Sequence, residues 1–277
     1  MVKSLIKWVG GKTQIIDKLL DHFPKEINDY HEPFVGGGSV PFPPPPPHRI
    51  NLKGKVYAYD INEELVSLYK NIQKDYIELY EYLKEELVGP LNNTLDKELF
   101  YYNIRTKYNN LSKLDKNGII GSAIFIFLNK TCFRGLYRVG PNGYNVPYGN
   151  YKNPEIINKE HLETIHNLIK NVIFECCDYK NVLNKVKKDD FVYLDPPYVP
   201  EKKTSFVSYT LNGFNLEEHN ILFNLIKNTK CKFVLSNSDQ PLVRESLRSF
   251  TITKIMCKRA INSKNPGSKT TELIIKN

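Results

Sequence analysis

The residues best suited to chemistry in this chain of 277 residues follow a short apolar run, Phe191 to Leu194. Four consecutive apolar residues predict a buried strand, and the Pro-Pro pair two positions later ends it, because proline cannot donate to a strand ladder. Asp195 is therefore delivered to the carboxyl end of a strand. In an open α/β sheet, ligands bind at that edge.

The tetrapeptide of Asp195, Pro196, Pro197 and Tyr198 has the groups to hold a planar amino group. The Asp195 carboxylate and the Pro196 carbonyl both accept hydrogen bonds, and the Tyr198 ring can stack on a flat heterocycle. Two acceptors draw both N–H bonds of an exocyclic amine out of the ring plane and direct its lone pair at an electrophile. Catalysis then rests on positioning and electrostatics, without a metal or a covalent intermediate. The alternative is that Asp195 only opens a proline turn.

Two glycine-rich segments precede this clamp. KWVGGK, from Lys7 to Lys12, resembles the end of a phosphate-binding loop, but Ile6 stands where that loop needs its first glycine, which excludes a nucleoside triphosphatase. The second segment, HEPFVGGGS from His31 to Ser39, contains three glycines that let the backbone approach a ligand closely. It is the better candidate for a small-molecule loop.

A short strand from Val56 ends at Asp60, about 20 residues after the glycine triplet, which is where dinucleotide-binding folds place an acid on the ribose hydroxyls. Asp60 is therefore a candidate ribose ligand. It could instead cap the following helix, a role that Asn62 fits equally well.

Between the triplet and this strand, Pro41 to Pro47 contains six prolines in seven positions. Each proline inside a helix costs about 3 kcal/mol, so the run excludes a helix after the glycine loop. A polyproline II linker, a partner-binding P-x-x-P site and an error in the sequence itself all remain open.

The middle of the chain differs in character from both ends. Glu63 to about Lys116 has a highly charged helical pattern, in which one apolar face continues as far as Leu83. Ile119 to Leu128 predicts a buried helix. The stretch from Asn129 to Tyr151 then mixes cations with aromatic rings, separated by Gly and Pro. Such a composition is typical of a loop that reads nucleic acid, although a β-hairpin with a solvated basic face fits it too.

Composition agrees with an anionic partner. The net charge is +9, from 39 Lys and Arg against 30 Asp and Glu. Five cysteines without a C-x-x-C pair predict neither a disulfide framework nor a zinc site, so we expect no metal and a reducing compartment. The longest apolar stretch is too short to cross a membrane and the amino terminus lacks a signal-peptide core. We therefore expect an intracellular, cytoplasmic protein without a membrane partner.

Taken in order, KWVGGK, EPFVGGGS, YDIN, LNKTCFRGLYR, NVPYG and DPPY resemble the motifs of the Dam-type DNA adenine-N6 methyltransferases. The resemblance extends from Lys7 to the closing ELIIKN. It implies S-adenosylmethionine as cofactor and double-stranded DNA as partner, often at GATC, with the target base flipped into the pocket. A cognate restriction endonuclease and a bacterial, phage or viral origin are compatible with it.

The same resemblance implies an α/β fold: a doubly wound, Rossmann-like methyltransferase sheet with an inserted, mainly helical target-recognition domain that carries a β-hairpin. The catalytic domain would comprise residues 1–62 and 158–277, and the recognition domain residues 63–157.

Roles for individual residues follow from the matched motifs. The catalytic residues would be Asp195, Pro196, Pro197 and Tyr198. The cofactor would be held by Trp8, Lys12, Phe34, Gly36, Gly38, Asp60, Asp178 and Asp195. DNA would be contacted by Lys130, Phe133, Arg134, Leu136, Arg138 and Pro147.

Three other functions compete with this one. The acceptor could be RNA or a protein amide, but Asp195 favours adenine, because the protein-amide enzymes of this fold have Asn in its place. The proline run could have left a DNA-binding module without catalysis, which the intact DPPY motif argues against. An NAD-dependent oxidoreductase would need a third glycine where Pro41 stands.

Overall fold

The computed structural model describes residues 2–12, 14–38, 50–200, 213–258 and 269–277. In chain order the strands are β1 (Glu26–Ile27), β2 (Tyr30–Glu32), β3 (Asn51–Leu52), β4 (Val56–Asp60), β5 (Val139–Gly140), β6 (Gly143–Tyr144), β7 (Val172–Cys176), β8 (Phe191–Leu194), β9 (Lys232–Ser238), β10 (Thr251–Lys258) and β11 (Lys269–Lys276). The α-helices are α1 (Ile16–Leu20), α2 (Glu63–Tyr82), α3 (Gly89–Asn93), α4 (Lys97–Asn110), α5 (Lys113–Lys116), α6 (Ile119–Thr131), α7 (Lys159–Ile169), α8 (Tyr179–Lys185), α9 (Leu216–Asn228) and α10 (Pro241–Ser246).

Seven of these strands form one twisted sheet in the order β10-β11-β9-β8-β2-β4-β7. The five strands from β9 to β7 in that order are parallel to one another, whereas β11 is antiparallel to β9 and β10 is antiparallel to β11. β1 pairs with β3, and β5 pairs with β6. The predicted α/β class with a mainly parallel central sheet is thereby confirmed.

Strand β8 shows why the sheet is covered on both faces. All four of its residues are buried; Phe191 and Tyr193 belong to one hydrophobic core, and Val192 and Leu194 to a second. Successive side chains of a strand point to opposite faces, so the two cores lie on opposite sides of the sheet. Helices α1, α2 and α7 contribute to the first core and α8, α9 and α10 to the second. This is the doubly wound arrangement.

The helix after β4 begins where one of the two predicted caps stands. The Asn62 side chain accepts a hydrogen bond from the Leu65 amide at 2.9 Å, so Asn62, and not Asp60, caps α2. The helical pattern predicted from Glu63 to about Lys116 corresponds to α2, α3, α4 and α5, with local breaks. Asp75 has non-helical backbone angles (φ −157°, ψ 81°), and a π-helical segment, Leu83–Val88, follows α2.

The predicted recognition region, residues 63–157, contains the five α-helices α2 to α6 and the short hairpin β5–β6 in the part that the structure describes. Its helix α2 packs against α6 within the region and against α7 and β7 outside it, and one hydrophobic core includes residues from both parts. The division into two domains stays a prediction. The proline run Pro41 to Pro47 lies outside the described residues. Within the described part of the chain, no helix combines the length and apolar character that crossing a membrane requires.

Candidate active site

Asp195 lies at the point where the sheet reverses its winding. Strands β2 and β8 are parallel neighbours; the next strand after β2 on its outer side is β4, and the next after β8 is β9. A crevice opens at the carboxyl ends of such a strand pair. Asp195 follows β8 directly, and Phe34 and the glycine triplet follow β2. The sequence therefore delivers both predicted motifs to one crevice.

The ammonium group of Lys12 lies between the Asp195 carboxylate and the Tyr198 ring. Its Nζ lies 2.7 Å from Asp195 Oδ2 and 4.9 Å from the centroid of the Tyr198 ring. It also donates a hydrogen bond to the Gly10 carbonyl. The side chains of Lys12 and Asp195 are only 3% and 17% exposed. An N–H donor thus already lies on the carboxylate and against the ring that the sequence predicts for an incoming amino group.

The environment of Asp195 changes its acidity and leaves one oxygen open. Burial raises the pKa of Asp195 to about 6, against the opposing effect of the Lys12 charge, while the charge of Glu272 raises it further. Its second oxygen, Oδ1, is buried and accepts no hydrogen bond from any residue that the structure describes. A buried acceptor without a donor is costly in a finished protein, so this atom is positioned for a ligand.

Two carboxylates at the site were not predicted from the sequence. The Tyr198 hydroxyl donates to Glu272 Oε2 at 3.0 Å, which fixes the ring through β11. Glu32 ends β2, is 2% exposed and accepts from the Tyr30 hydroxyl at 3.1 Å; burial raises its pKa well above the usual range. Both residues stand in segments that the resemblance covers, EPFVGGGS and ELIIKN, and an acid directly before the Pro-Phe pair was the available signal.

The chain after the clamp is tied to the end of β9. Asn237 Oδ1 accepts from the Val199 amide at 3.1 Å, and the Ser238 hydroxyl donates to the Val199 carbonyl at 2.6 Å. Both the amide and the carbonyl of Val199, the residue directly after Tyr198, are therefore hydrogen-bonded to the end of β9. The position of the Tyr198 ring therefore depends on β9 and β11 as well as on β8, which precedes it.

Asp60 organises the glycine loop. Its two carboxylate oxygens accept from the Gly36 amide at 3.1 Å and the Asn62 amide at 3.0 Å, and burial raises its pKa. Gly36 and Gly38 have φ values of 48° and 64°, which side chains other than glycine adopt only with strain. A carboxylate oxygen can accept more than one hydrogen bond, so Asp60 keeps acceptor capacity for a ligand hydroxyl.

Trp8 lies directly against the same loop. A Cβ atom added at Gly37 would be 2.6 Å from Trp8 Cβ, so only glycine fits there. The indole stacks on Tyr137 with the centroids 5.4 Å apart. Just before it, the Lys7 amide donates to Asn129 Oδ1 and the Asn129 amide group donates to the Lys7 carbonyl, both at 2.8 Å. The segment KWVGG is thereby fixed between the glycine loop and α6.

The two remaining predicted cofactor residues lie on the other side of the glycine loop. The Phe34 ring stacks on Tyr179 at 5.3 Å and meets Phe214 edge-on at 6.0 Å. Asp178 caps α8 by accepting from the Lys180 amide at 2.8 Å. The capping bond gives Asp178 a structural role, and its contact with a ligand base stays a prediction.

The predicted DNA-contacting residues lie on and beside the hairpin β5–β6. Arg138 is exposed, and Asn145 across the hairpin orients it: Nε donates to Asn145 Oδ1 at 2.6 Å and a terminal nitrogen donates to the Asn145 carbonyl at 3.1 Å. Phe133 is 44% exposed, and its amide donates to the Pro147 carbonyl at 2.8 Å. Arg134 is exposed with a φ of 59°, and its guanidinium lies 5.1 Å from the Phe133 ring centroid.

Leu136 is only half-buried and packs against the main core, while its carbonyl accepts from the Tyr144 hydroxyl at 3.1 Å. The hairpin itself is held by α4, because the Asn109 side chain exchanges two hydrogen bonds with the Tyr144 backbone at 2.8 and 2.9 Å. The exposed residues of the hairpin thus stand on a firmly anchored base.

Lys130 lines a basic cavity between the hairpin base and the KWVGG segment. The cavity has a volume of about 610 Å³, and Lys3, Lys7, Arg134 and Tyr151 also line it. Burial, together with the charges of Lys3 and Lys7, lowers the pKa of Lys130 to about 8. Such a concentration of cations favours an anion.

Comparison with known proteins agrees with this geometry. The family model described as "D12 class N6 adenine-specific DNA methyltransferase" matches residues 8–261. The chain is 40% identical to the Type II methyltransferase M.MjaIII of Methanocaldococcus jannaschii over 100% of this chain and 99% of that protein. It is 33% identical to the Type II methyltransferase M1.LlaDCHI of Lactococcus lactis subsp. cremoris (100% and 95%) and 31% identical to the DNA adenine methylase of Haemophilus influenzae (98% and 92%).

Proposed function

Because this chain belongs to the D12 class of N6 adenine-specific DNA methyltransferases and uses S-adenosylmethionine to methylate adenine in DNA, we propose that the Asp195 clamp performs the transfer on a flipped-out base. The observation that carries the proposal is the buried Lys12–Asp195 contact, with Asp195 Oδ1 left open beside it. The ammonium group of Lys12 already makes the contacts that an adenine amino group would need.

The target adenine replaces the Lys12 ammonium on Asp195. Asp195 accepts one N–H of the amino group and the Pro196 carbonyl accepts the other, which turns the nitrogen lone pair away from the base ring. The base stacks on Tyr198, whose orientation Glu272 fixes. After transfer the amino nitrogen must lose a proton, and a carboxylate with a pKa of about 6 is a better proton acceptor than an ordinary aspartate.

When bound, S-adenosylmethionine would supply the electrophilic methyl group, and its sulfur would keep the electron pair of the carbon–sulfur bond. The residues of the crevice fit this group: Asp60 has lone pairs for the two ribose hydroxyls, Gly36 and Gly38 allow close approach, and Phe34 offers an aromatic wall. Trp8 supports the glycine loop by packing against Gly36 and Gly37. Once displaced from Asp195, the Lys12 ammonium group could pair with an anionic group of a ligand.

A base-locating assay tests the reaction. The protein is incubated with S-adenosylmethionine carrying a tritiated methyl group and with duplexes that contain one adenine each, and the labelled base is identified after digestion. We expect N6-methyladenine alone from the wild type and no product from Asp195→Ala, whose DNA affinity should change little because phosphate contacts dominate binding. Near-normal turnover by Asp195→Ala would refute the clamp mechanism.

Target selection rests on the hairpin. We propose that the preoriented guanidinium of Arg138 reads guanine O6 and N7 in GATC, that Phe133 enters the base stack, and that Lys130 holds a phosphate. Arg134, Leu136 and Pro147 border the same surface. The exposed position of Arg138 and its two bonds to Asn145 support a base-reading role.

Duplexes with single-base substitutions separate reading from general affinity. Arg138→Ala should lose about 1 to 3 kcal/mol of discrimination at one guanine, so that sites altered there are methylated nearly as well as GATC. Lys130→Ala is the matched control, because it should weaken all duplexes alike and keep their ranking. If the ranking for Arg138→Ala equals that of the wild type, Arg138 does not read a base.

Two of the related proteins carry the name Type II methyltransferase. We therefore also propose that a cognate restriction endonuclease accompanies this protein in its host. Cleavage of unmethylated GATC duplexes, but not of duplexes treated with this protein, by a host extract would support that pairing.

A further inference from the structure

A cluster of three metal-ligating side chains lies at the edge of the sheet opposite to Asp195. Asp29 precedes β2, His31 lies within β2, and Asp190 precedes β8. Because β2 and β8 are parallel neighbours, their amino ends meet and bring these residues together. One ligand atom from each residue lies within 4.8 Å of the other two.

The Nε2 atom of the His31 imidazole faces Asp190 within this cluster. His31 is 8% exposed, and its Nε2 forms no hydrogen bond with any described residue. Asp190 Oδ2 lies 3.4 Å from that nitrogen, which is beyond the usual hydrogen-bond range of about 2.7 to 3.2 Å. The separation does match two ligand atoms on one tetrahedral ion, since metal bonds of about 2.0 to 2.1 Å place neighbouring ligands roughly 3.3 to 3.4 Å apart.

The second nitrogen and the ring of His31 are already oriented for coordination. Nδ1 lies 3.1 Å from the Tyr59 hydroxyl, and the ring stacks on Tyr57 with the centroids 4.9 Å apart. In the tautomer in which Nδ1–H donates to the Tyr59 hydroxyl, Nε2 carries the free lone pair, which is the usual arrangement of a histidine ligand.

Both carboxylates are held in place from behind. Asp190 Oδ1 accepts from the Asn28 side chain at 3.0 Å, and Asp190 Oδ2 accepts from the Lys187 amide at 2.8 Å. Asp29 Oδ1 accepts from the Lys55 amide at 2.7 Å. Each carboxylate keeps lone pairs for a cation, and two carboxylates beside an imidazole nitrogen form a donor set that suits a divalent ion.

We propose that His31 Nε2 and one oxygen each from Asp190 and Asp29 bind a divalent cation of the zinc class, with water as the fourth ligand. The site lies at the far edge of the sheet from the transfer chemistry, so it clamps the beginnings of β2 and β8 and takes no part in methyl transfer. The sequence did not indicate it, because its ligands are separated by 159 residues between His31 and Asp190 and include no cysteine.

Zinc titration of the full chain, stripped beforehand with a chelator, tests the site. We expect one zinc per chain by calorimetry and a higher melting temperature in zinc than in chelator. Asp29→Asn should bind zinc at least tenfold more weakly, while its side-chain oxygen still accepts from the Lys55 amide and preserves the fold. Catalytic turnover of the folded variant should stay at the wild-type level.

Cobalt substitution and a cysteine control identify the ligands. Cobalt in a tetrahedral nitrogen and oxygen site gives visible d–d bands without sulfur charge transfer, and Cys176→Ser/Cys177→Ser should leave zinc affinity unchanged. Absence of zinc binding to the wild type would overturn the proposal. So would unaltered binding by both Asp29→Asn and His31→Gln, or loss of binding in the cysteine variant.

Discussion

The acidity of Asp195 makes the methylation rate depend on pH in a defined window. A carboxyl group with a pKa of about 6 is about nine-tenths ionised at pH 7, half ionised at pH 6 and about one-tenth ionised at pH 5. Only the carboxylate accepts the amino N–H as proposed. We therefore expect kcat/KM to be level above pH 7 and to fall about tenfold for each unit well below pH 6.

Lys12 sets the position of this window. Its charge, 2.7 Å from Asp195 Oδ2, opposes the effect of burial and holds the pKa of Asp195 down. Removal of an opposite charge at such a distance typically shifts a carboxyl pKa by about 1 to 3 units. Lys12→Gln should therefore move the acid limb upward by about one unit or more, toward neutral pH, whatever its effect on the absolute rate.

The measurement uses initial rates with duplex and cofactor both below saturation, because kcat/KM then reports the free protein. Duplex affinity is followed over the same pH range by fluorescence anisotropy, and we expect it to contribute no step near pH 6. A level profile between pH 5 and 7 would refute the reasoning. So would an acid limb that stays in place in Lys12→Gln.

Three other outcomes follow from contacts at the site. Lys12→Met or Asp195→Asn alone leaves a buried charge unpaired and should lower the free energy of unfolding at pH 7.5 by about 3 kcal/mol, whereas the double variant should recover most of that loss in urea titrations. Lys130 loses its proton near pH 8, so duplex affinity should weaken between pH 7 and 9 in the wild type but not in Lys130→Arg, as anisotropy at constant salt would show. Gly37→Ala would place a methyl group 2.6 Å from Trp8 Cβ and should weaken S-adenosylmethionine binding about tenfold by calorimetry without a matching loss of duplex affinity.

Local signals were sufficient for the elements that carry the clamp. The strand Phe191–Leu194 was predicted at its observed bounds, because a fully apolar run meets two prolines that cannot extend it. The strand Tyr30–Glu32 was missed, since three residues with a histidine and a glutamate among them give no periodic signal. The strand Thr251–Lys258 was also missed, because TITKIMCK does not alternate polar and apolar residues.

The composition of the site depended on contacts that no local pattern encodes. Lys12 and Asp195 are 183 residues apart, and Tyr198 meets Glu272 across 74 residues. Motif matching indicated that Lys12 and Asp195 belong to one pocket, but the direct ion pair, the open Asp195 Oδ1 atom and the two extra carboxylates follow only from the strand order. The break at Asp75 likewise interrupts a helix whose apolar spacing continues without a gap.

The bonds of Asn129 also bear on how new specificities can be engineered. Its amide group joins the Lys7 backbone to the Gly135 carbonyl, at 2.8 and 3.3 Å, and a Cβ added at Gly135 would lie 2.4 Å from Lys7 Cβ. A reading hairpin grafted from a relative therefore has to enter after Gly135 and leave Asn129 in place. A chimera joined between these two residues would disturb the Lys7 backbone and the adjoining Trp8, which is proposed to support the cofactor loop, although only the proposed target contacts were meant to change.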